Sequence, residues 1–159
     1  MREANKVKAM VIGVGNILFK DEGIGVHIIQ ALERMDININ KISLELIDAG
    51  TTPDWHLFVH DKVEKLLIID AVKAGGTPGT IYLFKPEALF KLEGEEISTH
   101  EFGLRQNLNI MQLSRRRPKE IVIIGVEPED IGWGMELSPL LRSKIPEITE
   151  VVLKEAGVF

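Results

Sequence analysis

Short apolar runs closed by glycine or acidic residues recur along this chain, and between them apolar positions fall at helical spacing. Residues 7–14 (VKAMVIGV) form one such run, after which Ile24, Ile28, Ala31, Leu32 and Met35 mark an amphipathic helix over residues 23–35. A second run, residues 42–47, stops at Asp48-Ala49-Gly50, and Thr52-Pro53 then offers an N-cap and a first-turn proline for a helix to about residue 63. Residues 65–69 read as a buried strand ending in Asp70, and residues 80–84 as another, entered through the Gly75-Gly76-Thr77-Pro78-Gly79 turn. That link is too short for a helical crossover, so these two strands are expected to run antiparallel. Residues 102–113 read as helix, 120–126 (EIVIIGV) as a last buried strand, and 137–153 as a C-terminal helix opened by Ser138-Pro139.

Strands alternating with helices predict an α/β fold: a mostly parallel sheet covered by helices on both faces. At 159 residues the chain suits a single domain, 1–159. Residues 87–99 are charged and lack periodicity, which predicts a long loop of the kind that often carries function.

Charge and composition exclude several classes. A net charge of −5 argues against nucleic acid as a partner, and the basic run of Arg115, Arg116 and Arg117 before Pro118 reads as the solvated cationic end of a helix. The apolar runs are strand-length, so no membrane insertion is expected. Residues 1–8 lack the apolar region of a secretory signal, which points to a cytoplasmic protein. With no cysteine, disulfides, thiolate metal sites and cysteine nucleophiles are removed together, and any metal must bind through oxygen and imidazole.

Ligands of open α/β sheets bind beyond the carboxyl ends of the strands, so the residues after each run are the informative ones. They are Gly15-Asn16 with Asp21-Glu22-Gly23, then Asp48, Asp70 and Glu127, four acidic segments expected at one edge. A dinucleotide fingerprint fails because its third glycine would fall on Leu18, and no Gly-Lys-Ser/Thr follows for a phosphate loop. Asp21 reads as a helix cap. Glu22, flanked by Gly23 and Gly25, sits where the backbone is kept bare; each glycine costs a helix roughly 1 kcal/mol, so a close approach should offset it. Asp70 and Asp48 read either as turn residues or as site residues, and His100 as a capping or cleft residue just before a helix. His56 and His60 have the i, i+4 spacing of a zinc-protease pair, but Leu57 stands where the catalytic glutamate should be, so they read as surface or half-buried structural residues.

Together these segments resemble one family, the maturation endopeptidases of nickel-iron hydrogenases. The resemblance rests on Gly13-Val14-Gly15-Asn16-Ile17-Leu18 with Asp21-Glu22-Gly23-Ile24-Gly25, on Asp48-Ala49-Gly50-Thr51, on Ile69-Asp70-Ala71, on Thr99-His100-Glu101 and on Ile124-Gly125-Val126-Glu127-Pro128. The second motif departs from the family's usual Asp-Gly-Gly at Ala49. The resemblance implies a three-layer sandwich on a five-stranded mixed sheet with one antiparallel strand. It implies an endopeptidase that removes the C-terminal extension of a hydrogenase large-subunit precursor after nickel insertion. Glu22, Asp70 and His100 would be the metal-recognising residues, meeting a nickel ion supplied by the substrate, for which zinc or another divalent ion could substitute. Asp48, or a spare oxygen of Glu22, would assist as base. The rivals are a nickel-sensing chaperone that cuts nothing and a peptidase carrying its own zinc. The rim of the site is expected in residues 87–99 and 127–135, including Trp133.

Overall fold

Runs rich in valine, isoleucine and leucine that are apolar on both sides belong inside a sheet rather than at its surface. In the structure, a computed structural model that describes residues 7–36, 43–90, 99–115 and 117–158 (7, 89, 90 and 99–102 by backbone alone), they become β1 (Val7–Val14), β3 (Val63–Ala71) and β5 (Glu120–Val126). With β2 (Leu44–Gly50) and β4 (Ile81–Phe84) they form one sheet in the order β2-β1-β3-β5-β4. All neighbours pair in parallel except β4, which runs antiparallel to β5. The helices are α1 (Ile24–Arg34), α2 (Pro86–Phe90), α3 (Thr99–Leu113) and α4 (Pro139–Glu155), joined by 3-10 turns at Lys20–Gly23 and Trp55–Phe58.

Period-two alternation sorts the strand residues onto two cores. Val11, Leu67, Ile69 and Ile124 meet Ile28, Leu32 and Val152 from α1 and α4. Met10, Ile12, Leu66 and Ile68 meet Trp55, Leu104, Leu108 and Met111 on the other side. The result is the expected three-layer sandwich. Its last helix begins as the sequence indicates, with Ser138 as N-cap accepting the Leu141 N–H and Pro139 in the first turn.

Two expectations are corrected. The helix expected from Thr52 to about residue 63 is only the turn Trp55–Phe58, because β3 already begins at Val63 and the segment's polar groups are taken by α3. The strands at 63–71 and 81–84 do run antiparallel, but β5 lies between them, so the glycine turn links strands that do not pair. Part of the expected loop is α2, and residues 91–98 lie outside the described residues.

The chain leaves β1 for β2 on one side and returns across it to β3 on the other, which makes the end of the β1–β3 pair the topological switch point. The start of α1 is pressed onto that point. A Cβ at Gly25 would collide with the carbonyl oxygens of Val14 and Ile69, and Gly15, at φ +140°, holds the turn that brings α1 back. The close approach inferred from the glycines around Glu22 is therefore helix against strand. Gly25→Ala should lower stability by about 3 kcal/mol despite alanine's better helix propensity, because backbone cannot yield as a side chain does. Urea unfolding of the two proteins measures it.

His27 on α1 is half-buried, and its Nε2 has no hydrogen-bond partner among the described residues. Burial pushes its pKa below the ordinary 6.5, with Arg142 and Arg34 adding to the shift and Asp21 opposing it. Where the unfolded chain takes up this proton more readily than the folded one, stability rises with pH. His27's contribution is thus fully present above about pH 6.5 and is lost as pH falls through the lowered folded value. Denaturation midpoints taken at about pH 7.5 and about pH 5.5 should differ less in His27→Leu than in the wild type.

Candidate functional site

Asp70 ends β3 and is 2% exposed, with its Oδ1 accepting the Ala71 N–H at 2.8 Å. Leu66 and Ile68 face the α3 core, so Asp70, next in the alternation, belongs to that same face. Position 100 lies in the first turn of α3, the helix that covers it; the His100 side chain is outside the described residues. Glu22 is half-buried in the turn Lys20–Gly23, which packs against β3. Glu22 and Asp70 thus both lie at the strand ends, and Gly103, early in α3, lines a cleft there with Val14 and Asn16. Among the described residues no group of three acidic or histidine side chains is close enough to hold an ion.

Asp48 is placed differently. It lies level with Gly13 across β1, with Ile69 on the far side of that strand, but it is exposed. Leu44 and Leu46 turn towards α1, while Ile47 and Ala49 turn towards the α3 layer. Alternation thus puts Asp48 on the face opposite Asp70.

Glu127 lies at the expected edge, just past the Ala71–Val126 pair, but its carboxylate is taken up by the backbone there. It is buried, its Oε2 accepts the Ala74 N–H at 3.0 Å, and its backbone bonds Gly79 and Thr80, so it fastens the β3–β4 connection. Asp21 is also corrected. It caps no helix: the N-cap of α1 is Gly23. Its fully buried carboxylate instead accepts hydrogen bonds from the N–H groups of Glu129, Asp130 and Ser138 and from the Ser138 hydroxyl, at 2.8–2.9 Å.

The same turn is braced from outside. Lys20 N–H donates to Gly134 O at 2.8 Å, Gly134 N–H to Leu18 O at 2.9 Å, and Lys20 Nζ meets Asp130 at 2.8 Å. The hydrogen bond to Lys20 holds the Asp130 carboxyl below the usual carboxylate range. Trp133 stacks on Phe19 with ring centroids 4.7 Å apart yet remains 78% exposed. The segment after β5 thus flanks Glu22, as the rim expectation had it, and offers an apolar surface with Leu18 and Met135.

On the α3 side a cleft of about 390 Å³ opens at the ends of β1 and β2, lined by Val14, Asn16, Thr52, Trp55, Leu104 and Gln106 among others. No described lining residue is charged. His56 and His60 are not a metal pair: His56 bonds Asn107, and His60 bonds Glu45 at 3.1 Å. Asn107 was not singled out by sequence, where a lone asparagine inside a helix signals only weak helix propensity.

Comparison with known proteins agrees with the geometry. A model of the HycI hydrogenase maturation protease family matches residues 26–155, which takes in Asp48, Asp70 and His100 and begins just past Glu22. The hydrogenase 2 maturation protease of Escherichia coli is 34% identical over 156 residues, covering 96% of this chain and 94% of that protein. The coenzyme F420 hydrogenase subunit delta of Methanothermobacter thermautotrophicus is 33% identical over 155 residues, covering 94% of each. Among solved structures, the hydrogenase maturating endopeptidase HybD from E. coli superposes with a TM-score of 0.78 at 31% identity, covering 94% of this chain and 93% of that one. The nickel-iron hydrogenase maturation protease HybD from Thermococcus kodakarensis gives 0.74 at 27% identity over 93% and 98%. A buried aspartate at the switch point, a cleft at the ends of β1 and β2 and matches along nearly the whole chain lead to one assignment: the chain belongs to the hydrogenase maturation proteases, and is by that membership a peptidase.

Proposed function

We propose that this protein removes the C-terminal extension of a nickel-iron hydrogenase large-subunit precursor once nickel has been inserted, docking onto that nickel through Glu22, Asp70 and His100. The observation that carries the reading is Asp70: a carboxylate buried at the switch point, beneath the helix that bears position 100 and beside the turn that bears Glu22. Two carboxylates and an imidazole are hard and borderline donors, which suit nickel or zinc and leave coordination positions for the substrate.

The nickel belongs to the substrate, and it would polarise the scissile carbonyl or acidify the attacking water. The chain's residues supply the rest. Asp70 and His100 orient the metal-bearing end of the precursor. The uncharged cleft receives the neighbouring peptide, and a carboxylate takes the proton of the attacking water and returns it to the leaving amine as the C–N bond breaks. Glu22 is favoured for that last role, since Asp48 is exposed on the other face. The products are a mature large subunit and a short peptide.

Incubating the protein with nickel-loaded precursor and weighing the large subunit tests this. Loss of the C-terminal peptide is expected. Asp70→Asn keeps an Oδ1 for the Ala71 N–H, so it should fold, and it should slow cleavage at least roughly 100-fold, equivalent to about 3 kcal/mol of transition-state stabilisation. His100→Ala should do the same. Nickel-free precursor should stay whole. Binding without a change of mass would indicate a nickel-sensing chaperone, and cutting of nickel-free precursor a peptidase with its own metal.

A further inference from the structure

Buried amide side chains are costly unless every donor and acceptor is used, so a satisfied one marks a place where the fold needs a fixed geometry. Asn107, on α3, is 2% exposed and uses all of its capacity. Its Nδ2 donates to Pro53 O at 2.9 Å and to Gly103 O at 2.8 Å. Its Oδ1 accepts the His56 N–H at 3.0 Å and faces His56 Nδ1 at 2.7 Å. Since two carbonyls hold the Nδ2 group, the amide cannot be turned round, and His56 Nδ1 must be the donor to Oδ1.

These bonds join the two walls of the cleft. Pro53 and His56 belong to the segment that follows β2, while Asn107 and Gly103 belong to α3; Pro53, Gly103 and Asn107 themselves line the opening. The β2 segment has little regular structure of its own, only the turn Trp55–Phe58, so its distance from α3 depends on what α3 offers it. Packing of Trp55 and Val59 against Leu104 and Leu108 brings the walls together but tolerates sliding; directed hydrogen bonds do not. Position 100 lies seven residues before Asn107, two helical turns or roughly 10 Å, and so on the same side of α3.

We propose that Asn107 is a positioning residue for the peptide hydrolysis: it sets the spacing between the segment after β2 and α3, and with it the placement of the scissile peptide against the metal-recognising residues. The inference rests on the hydrolytic reading above. A displacement of about 1 Å in such a placement lowers turnover by up to about 100-fold while leaving most of the docking surface intact.

The test measures kcat and KM for nickel-loaded precursor separately, well below the unfolding midpoint of each protein. Asn107→Asp keeps the shape and the oxygen facing His56 but replaces the two donors to Pro53 and Gly103 by an acceptor; Asn107→Ala removes all the bonds. Both should lose kcat at least about tenfold with KM changed less than about threefold. His56→Phe, which removes only the ring bond, should lose kcat less but in the same pattern. Ile148→Val, in the core on the opposite face, lowers stability without touching the cleft and should keep kcat within about twofold. Wild-type kcat in either Asn107 variant would overturn the proposal, as would an unchanged His56→Phe if the Asn107 variants do not fold. Precursor left whole by the wild type would overturn the hydrolytic reading itself, and the proposal with it; the two failures are told apart by which protein shows them.

Discussion

A carboxylate sealed from water is tolerated only where donors surround it, and Asp21 is in that position. Its two oxygens accept four hydrogen bonds, three from backbone N–H groups and one from the Ser138 hydroxyl, and its residue is fully buried. The donors come from the segment after β5 and from the N-cap of the last helix, while the carboxylate comes from the turn after β1. One side chain therefore ties the turn after β1 to both ends of the connection between β5 and the last helix, segments distant in sequence that meet at the strand ends. Glu22 is the next residue, so its backbone cannot move without breaking this set. Removal of a single donor would leave a buried carboxylate short of a hydrogen-bond partner, which makes the arrangement close to all-or-none.

The glycines act on the same place from below. Gly25 lets α1 touch the last carbonyls of β1 and β3, so the turn carrying Glu22 is held between Asp21's hydrogen bonds and a backbone contact with no room for a methyl group. Meanwhile strand alternation decides which acidic residues can cooperate. Asp70 falls on the α3 face and Asp48 on the α1 face, although both lie near the carboxyl ends of parallel strands that flank β1. A difference of one residue in phase separates them more effectively than distance along the sheet.

Where apolar runs and helical periodicity were strong, the sequence sufficed: β1, α1, β5 and the Ser138-Pro139 start of the last helix lie where the pattern puts them. It failed where long-range polar contacts override local preference. Thr52-Pro53 resembles a helix start, but Asn107, some fifty residues later, takes the Pro53 carbonyl and the His56 N–H into a turn instead. Asp21 and Glu127 were visible as carboxylates near strand ends. Nothing local distinguishes a side chain that fastens loops from one that faces a ligand. The order of β5 and β4 was hidden for a related reason, since the Gly-rich link fixes direction but not which strand fills the space between.

On the proposed reading, a division of labour between chain and substrate would follow from the donor set. Without thiolates, two carboxylates and one imidazole bind a divalent ion less tightly than a dedicated cysteine-histidine cage, and a weak holder gains selectivity if the remaining donors arrive with the partner. The cleft fits that logic, because its described lining residues offer shape and amide contacts and none of them is charged. On the proposed reading, discrimination between nickel-loaded and empty precursor resides in the metal contact, and choice of the bond to be cut resides in how rigidly the cleft walls are held. The first depends on residues that sequence motifs expose. The second depends on buried hydrogen bonds such as those of Asn107, which no motif announces.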